Sequence, residues 1–167
     1  MPSLYHRTLP IALALAAASL ASAQIRKDAP PIRGVPALSL TQLVLEFATG
    51  EDDLRGGNDN VHLIVLLRGG REARFDNAND FKRWMGGSIN EVAKALPDSL
   101  SPGDVVGVRL QTTFGGGLGG DNWDLAELVV RVRYGTASDW NDVYYGNGRD
   151  GKPLVRFTGS KREHDFR

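Results

Sequence analysis

Residues 58–81 read NDNVHLIVLLRGGREARFDNANDF. Within them Val61–Leu67 (VHLIVLL) is an almost unbroken apolar run between turn formers, which predicts a central strand buried on both faces. Arg68-Gly69-Gly70 supplies a hairpin turn, and Glu72–Phe75 is the return strand. Working outward, Gln42–Ala48 (QLVLEFA) alternates, with Leu43, Leu45 and Phe47 on one face. Val105–Gln111, Ala126–Arg133 and Leu154–Phe157 give three more strand signals, with Val130 and Val132 opposite Val129, Arg131 and Arg133. Ser88-Ile89-Asn90-Glu91 matches a helix capping box, yet Val92, Lys94 and Leu96 also fit a strand. Asp80–Met85 is expected to form a single helical turn. Short strands joined by glycine-rich turns point to an all-β fold, an antiparallel β-sandwich of about eight strands with at most one short helix.

Composition narrows the function. The 167 residues carry 20 Lys+Arg against 20 Asp+Glu, and this balance argues against a nucleic-acid-binding protein. The absence of cysteine removes disulfides, thiolate zinc sites and a cysteine nucleophile. Twenty glycines, about 12% against a usual ~7%, disfavour a helix bundle.

Residues 1–23 read as a secretory signal peptide: Arg7 in the n-region, an apolar stretch Leu9–Leu20, then Ala21-Ser22-Ala23 as the cleavage motif. Removing 23 of 167 residues leaves 144, with 19 basic against 20 acidic because Arg7 departs and no acid does. The expected product is a secreted, monomeric, one-domain protein, extracellular or periplasmic. Residues 24–37, with Pro30 and Pro31, read as an extended lead-in, 38–160 as the domain, and 161–167 as a basic tail with His164 near a frayed end.

Three loops concentrate short acids and amides: Asp52, Asp53, Asn58, Asp59 and Asn60; then Asp76, Asn77, Asn79 and Asp80; then Asp121, Asn122 and Asp124 behind Phe114 and a glycine run containing Leu118. Carboxylates, amide oxygens and glycine carbonyls are calcium ligands, and the same residue types are also the commonest turn formers. No EF-hand spacing occurs. A G-x-S-x-G elbow is absent, and the glycine runs lack the Lys-[Ser/Thr] of a phosphate loop. Paired acids such as Asp121 and Asp124 leave a small secreted hydrolase or toxin-like enzyme as a remote alternative. Trp140, Tyr144 and Tyr145, among Asn141, Asp142 and Asn147, offer another: a carbohydrate-binding sandwich whose partner is a polysaccharide.

The order of TGEDDLRGGNDN, VHLIVLL, FDNANDF, GDVVGVRLQ and GGDNWDLAELVVRV, from Gln42 to Arg133, resembles the PLAT/LH2 β-sandwich. That module accompanies lipoxygenases, lipases, polycystins and clostridial phospholipase toxins. The resemblance implies a non-catalytic module that docks onto a lipid surface or a protein partner, in some members with Ca²⁺. Matched residue by residue, a calcium site would draw on the Gly57 carbonyl and on Asp121 beside Asn122. Arg55 stands where the family has an early acid, with Asp53 near enough to substitute. Asp59 belongs to the same loop, and Asp76, Asn79 and Asp80 fall in a second calcium-bearing loop. The resemblance also makes Asn90–Leu96 a strand. Candidates for lipid contact are Trp84, Phe81, Phe114 and Leu118; Phe114 and Leu118, set among glycines, are the expected exposed tips, and Trp123 the expected core aromatic.

Overall fold

The computed structural model describes residues 41–97, 99–114, 122–135 and 138–167. The signal peptide, the lead-in, Leu118 and Asp121 lie outside the described residues. The strands are β1 (Thr41–Thr49), β2 (Val61–Leu67), β3 (Glu72–Phe75), β4 (Ile89–Ala95), β5 (Val105–Thr112), β6 (Trp123–Tyr134), β7 (Asn141–Asn147), β8 (Val155–Phe157) and β9 (Glu163–Phe166). They form two antiparallel sheets. One runs β4-β1-β6-β7 with β8 also on β6, and the other runs β3-β2-β5-β9. This is the expected sandwich, with short 3₁₀ turns as its only helical geometry among the described residues.

The alternation in β1 works as the two-residue period requires: Leu43, Leu45 and Phe47 are fully buried while Gln42, Val44, Glu46 and Ala48 face outward. In β2 even the outward Ile64 is covered, with Arg74 and Arg109 opposite it on β3 and β5. The segment after Ser88 is a strand: β4 pairs with β1 over seven residues and turns Val92 inward against Leu45. Tertiary pairing outweighs the local capping signal there.

Three expectations are corrected. Asp80–Met85 is not a helical turn; Asp80 and Phe81 have φ of +50° and +60°, outside the right-handed region a helix needs. The basic tail is not frayed, because residues 163–166 pair with β5 and bury Phe166. Asn141–Asn147, read above only as an aromatic cluster, is an edge strand on β6. The sequence hides it because bulges and alternating Asn, Asp and Gly break the apolar period.

The core between the sheets is centred on aromatic rings. Trp123 stacks on Phe157 at 5.4 Å and lies 5.7 Å from Trp84 and 6.3 Å from Phe47. Offset and tilted ring pairs at these distances add to the area they bury.

Candidate functional site

Strand direction brings the three polar loops together. The chain leaves β1 at Thr49, enters β2 at Val61, returns along β3 to Phe75, and starts β4 opposite Ala48. Residues 50–60 and 76–88, with Thr113 and Asn122 at the described ends of the third loop, therefore share one end of the sandwich. Backbone bonds tie the first two: Leu54 and Trp84 exchange N–H and C=O at 3.0 and 2.8 Å, and Gly57 N–H donates to the Phe81 carbonyl at 2.9 Å. Gly56 is required at this crossing. Its φ is +76°, and a Cβ would sit 2.6 Å from the Phe81 oxygen.

A buried amide clamp fixes the loops further. Asn79 Nδ2 donates to Asn60 Oδ1 and to the Lys82 carbonyl, both at 2.9 Å, while Asn79 Oδ1 accepts from Val61 N–H at 3.3 Å. Asn60 Nδ2 donates to the Gly57 carbonyl at 2.6 Å. Thr113 joins the third loop by accepting from Asn60 N–H at 2.8 Å and donating to the Asn58 carbonyl at 2.7 Å. Buried polar groups satisfied this completely rigidify a site.

The clamp changes the roles expected of the oxygen donors. Asn79 is buried, and its side chain is spent on holding the loop. The Gly57 carbonyl already accepts from Asn60. Asp53 is paired with Arg83, and Asp76 accepts from Arg74 Nε at 2.7 Å. Asp59 is half-buried, Asp80 is exposed, and Asn122 is half-buried at the start of β6. Among the described residues no three carboxylate or imidazole groups converge as a metal site.

His62 sits under the second loop. Its Nδ1 accepts from Asn77 N–H at 3.1 Å and also lies 3.1 Å from Asp76 Oδ1. Because the backbone N–H needs that lone pair, the ring is neutral, and Asp76 is satisfied by Arg74 instead. Burial first, then Arg74, hold the His62 pKa below its ordinary 6.5 against an opposing pull from Asp76. A folded pKa below the unfolded one means that the unfolded chain binds the extra proton. Stability is therefore expected to fall as pH drops from 6.5 towards the lowered pKa, and Asn77 to lose its bond to His62. NMR titration of the His62 ring should give a midpoint below 6.5; a midpoint above it would refute the neutral-ring assignment.

The aromatic candidates are redistributed. Phe114 is fully buried and Trp84 nearly so, at 5% exposure; neither is a surface tip. Phe114 lies in the core below the third loop, and Trp84 is drawn in by its bridge to Leu54 and its 4.9 Å contact with Phe47. Trp123 is core as expected. The rim instead exposes Phe81 (59%) and Met85 (65%), beside exposed Lys82 and Arg83. Met85 escaped the sequence reading, although two glycines follow it and exposed residues 80–83 and 85–87 flank the buried Trp84 on both sides. Away from the rim, Trp140 lies beneath the Arg133 guanidinium at 4.5 Å, and Tyr144 turns inward onto Phe166 at 5.4 Å. These two do not make a common stacking surface.

The sheet order defines an antiparallel β-sandwich with its described loops gathered at one rim. No family model matches the chain, and no curated protein matches it. Among solved structures it is similar to the alpha-toxin of Clostridium perfringens from an avian strain, at 17% identity and a TM-score of 0.52. The match covers 77% of this chain and 32% of the toxin chain. A deletion variant of LOX matches at 12% identity and a TM-score of 0.46, covering 76% of this chain and 16% of that one. The toxin likeness supports the fold.

Proposed function

We propose that this protein is a secreted, non-catalytic binding module that docks reversibly onto a lipid surface through the rim of its loops. The observation that carries the reading is Phe81. It is a bulky apolar ring, 59% exposed, held at a loop tip by a left-handed backbone that non-glycine residues avoid. The Gly57 bond to its carbonyl and the crossing at Gly56 keep it there. Met85 adds a second apolar side chain, and Lys82 places a cation beside both, while the neighbouring Arg83 is paired with Asp53. An apolar tip beside a cation suits the boundary between headgroups and acyl chains.

The magnitudes predict weak, reversible docking. Full burial of one such side chain contributes about 1.5–3 kcal/mol, and a cation near an anionic surface about 1 kcal/mol. The described acids Asp52, Asp53, Asp76 and Asp124 each have an arginine partner, which favours a structural use over acid–base chemistry. The docking proposed here runs through Phe81, Met85 and Lys82 themselves, with no ion between them and the lipid. Co-sedimentation with vesicles should therefore persist in chelator, strengthen with anionic lipid and weaken with salt. Absence of binding across several lipid classes would contradict the reading, and loss of binding in chelator would contradict its calcium-independent form.

A further inference from the structure

A cleft of about 300 Å³ opens at the loop-bearing border of the five-stranded sheet, between Gly50–Glu51 and the 148–153 turn. Its volume is at the lower end of small-molecule sites, which suits one ring rather than a long chain. Asp124, Asn147 and Lys152 complete the polar part of the wall. Asp124 is fixed and neutralised by Arg156, whose Nη1 donates to its two oxygens at 2.8 and 2.9 Å. Glu51 and Lys152, both exposed, have no side-chain partner among the described residues. Asn147 lies on the same outward face as Tyr145, and both reach the Glu127 carboxylate, at 2.8 Å from Nδ2 and 3.4 Å from the phenol oxygen. Tyr145 is 65% exposed and stands two residues before the cleft-lining Asn147 on β7, outside the lining itself.

We propose that this cleft binds a neutral hexopyranose unit of a saccharide, with Tyr145 beneath the ring and Glu51, Asn147 and Lys152 meeting its hydroxyls. The chemistry selects that class. One acid and one base leave the cleft without a net charge to select an ion, and its side chains offer acceptors and donors together. A neutral sugar presents hydroxyls that donate and accept at once, matching a carboxylate, an ammonium and an amide side by side. Its C–H face packs on an aromatic ring. The site is independent of the docking rim, although Gly86 abuts the Glu51 carbonyl and places the two next to each other.

The test is an NMR titration of the whole secreted chain with methyl glucoside, galactoside and mannoside and with N-acetylglucosamine. At least one sugar should give saturable amide shifts at Glu51, Asn147 and Lys152. Tyr145→Ala should weaken that binding about tenfold or more, a loss comparable to one good stacking contact, while Tyr145→Phe retains most of it. Trp140→Ala should leave it unchanged. Tyr145 is exposed, so its variants should melt with the wild type, and Glu51→Ala provides a second, independent loss. No saturable shift with any sugar, or shifts that survive both Tyr145→Ala and Glu51→Ala, would overturn the assignment. Phe81→Asp should leave the sugar response intact, so failure of lipid docking and failure of this site read out separately. Retention on an insoluble polysaccharide, or on vesicles carrying a hexose-headed glycolipid but not on the same vesicles without it, identifies which source presents the ring.

Discussion

Trp123→Ala is expected to bring the fold close to collapse. Trp123 is fully buried, stacked on Phe157 and edge-on to Trp84, and its Nε1 reaches Thr49 Oγ1 at 3.4 Å. It stands at the first position of β6 and touches both the core and the strand that leads into the first loop. Truncating such a ring removes its transfer free energy and leaves a cavity that close-packed neighbours cannot fill, at a cost of about 3–5 kcal/mol. A domain of this size has roughly 5–15 kcal/mol in total, so the loss takes a large share. Denaturant unfolding should show the midpoint falling with little change in slope. Trp140→Ala is the control: its ring is half-buried and its one ring contact described here is the Arg133 cation, worth about 0.5–1 kcal/mol. Equal losses for the two tryptophans would contradict the core assignment.

Phe81→Gly is expected to separate stability from docking. At φ +60° the Phe81 Cβ is strained by about 1–2 kcal/mol, and glycine relieves this while adding back roughly 0.5–1 kcal/mol of unfolded-chain entropy. Because the ring is largely in water, its removal forfeits little packing. The variant should therefore melt at or slightly above the wild-type temperature. Its vesicle affinity should nonetheless fall by roughly tenfold or more, the share of one buried aromatic side chain. A residue kept at a cost to the fold and needed for binding is the signature of a functional tip. A lowered melting temperature with unchanged docking would show that Phe81 serves the structure instead.

The sandwich was legible because its main strands bury one face each. Leu43, Leu45 and Phe47 declare β1, and Val61–Leu67 declares the central strand whatever their surroundings. β7 and β9 were not legible as strands. Tyr144 is half-buried on the edge strand beside β6, and Phe166 is buried only because β5, some sixty residues earlier, supplies its partner; no local period records either pairing. Of the three polar loops, the first two meet at one end through the Leu54–Trp84 and Gly57–Phe81 backbone bonds. Which side chains point outward was not legible. Glycine neighbours suggested an exposed Phe114, yet the core below the third loop takes it in. Trp84 and Phe81 are three residues apart in one loop, and a single backbone bridge to Leu54 decides which is covered. The oxygen donors carry two uses that the sequence does not separate. Asn79 and Asp53 have calcium-ligand chemistry, but a buried amide and a carboxylate beside Arg83 are satisfied within the protein. The cleft at Glu51, Asn147 and Lys152 joins residues about a hundred positions apart, so no motif announces it.

The central claim is that the rim of Phe81 and Met85 is the lipid-docking surface. Vesicle co-sedimentation of the wild type beside the double variant Phe81→Asp, Met85→Asp tests it most directly. Two charges at exposed positions should leave the melting temperature within a few degrees of wild type while abolishing association with anionic vesicles. Undiminished association by a folded double variant would contradict the account and move the docking surface off this rim.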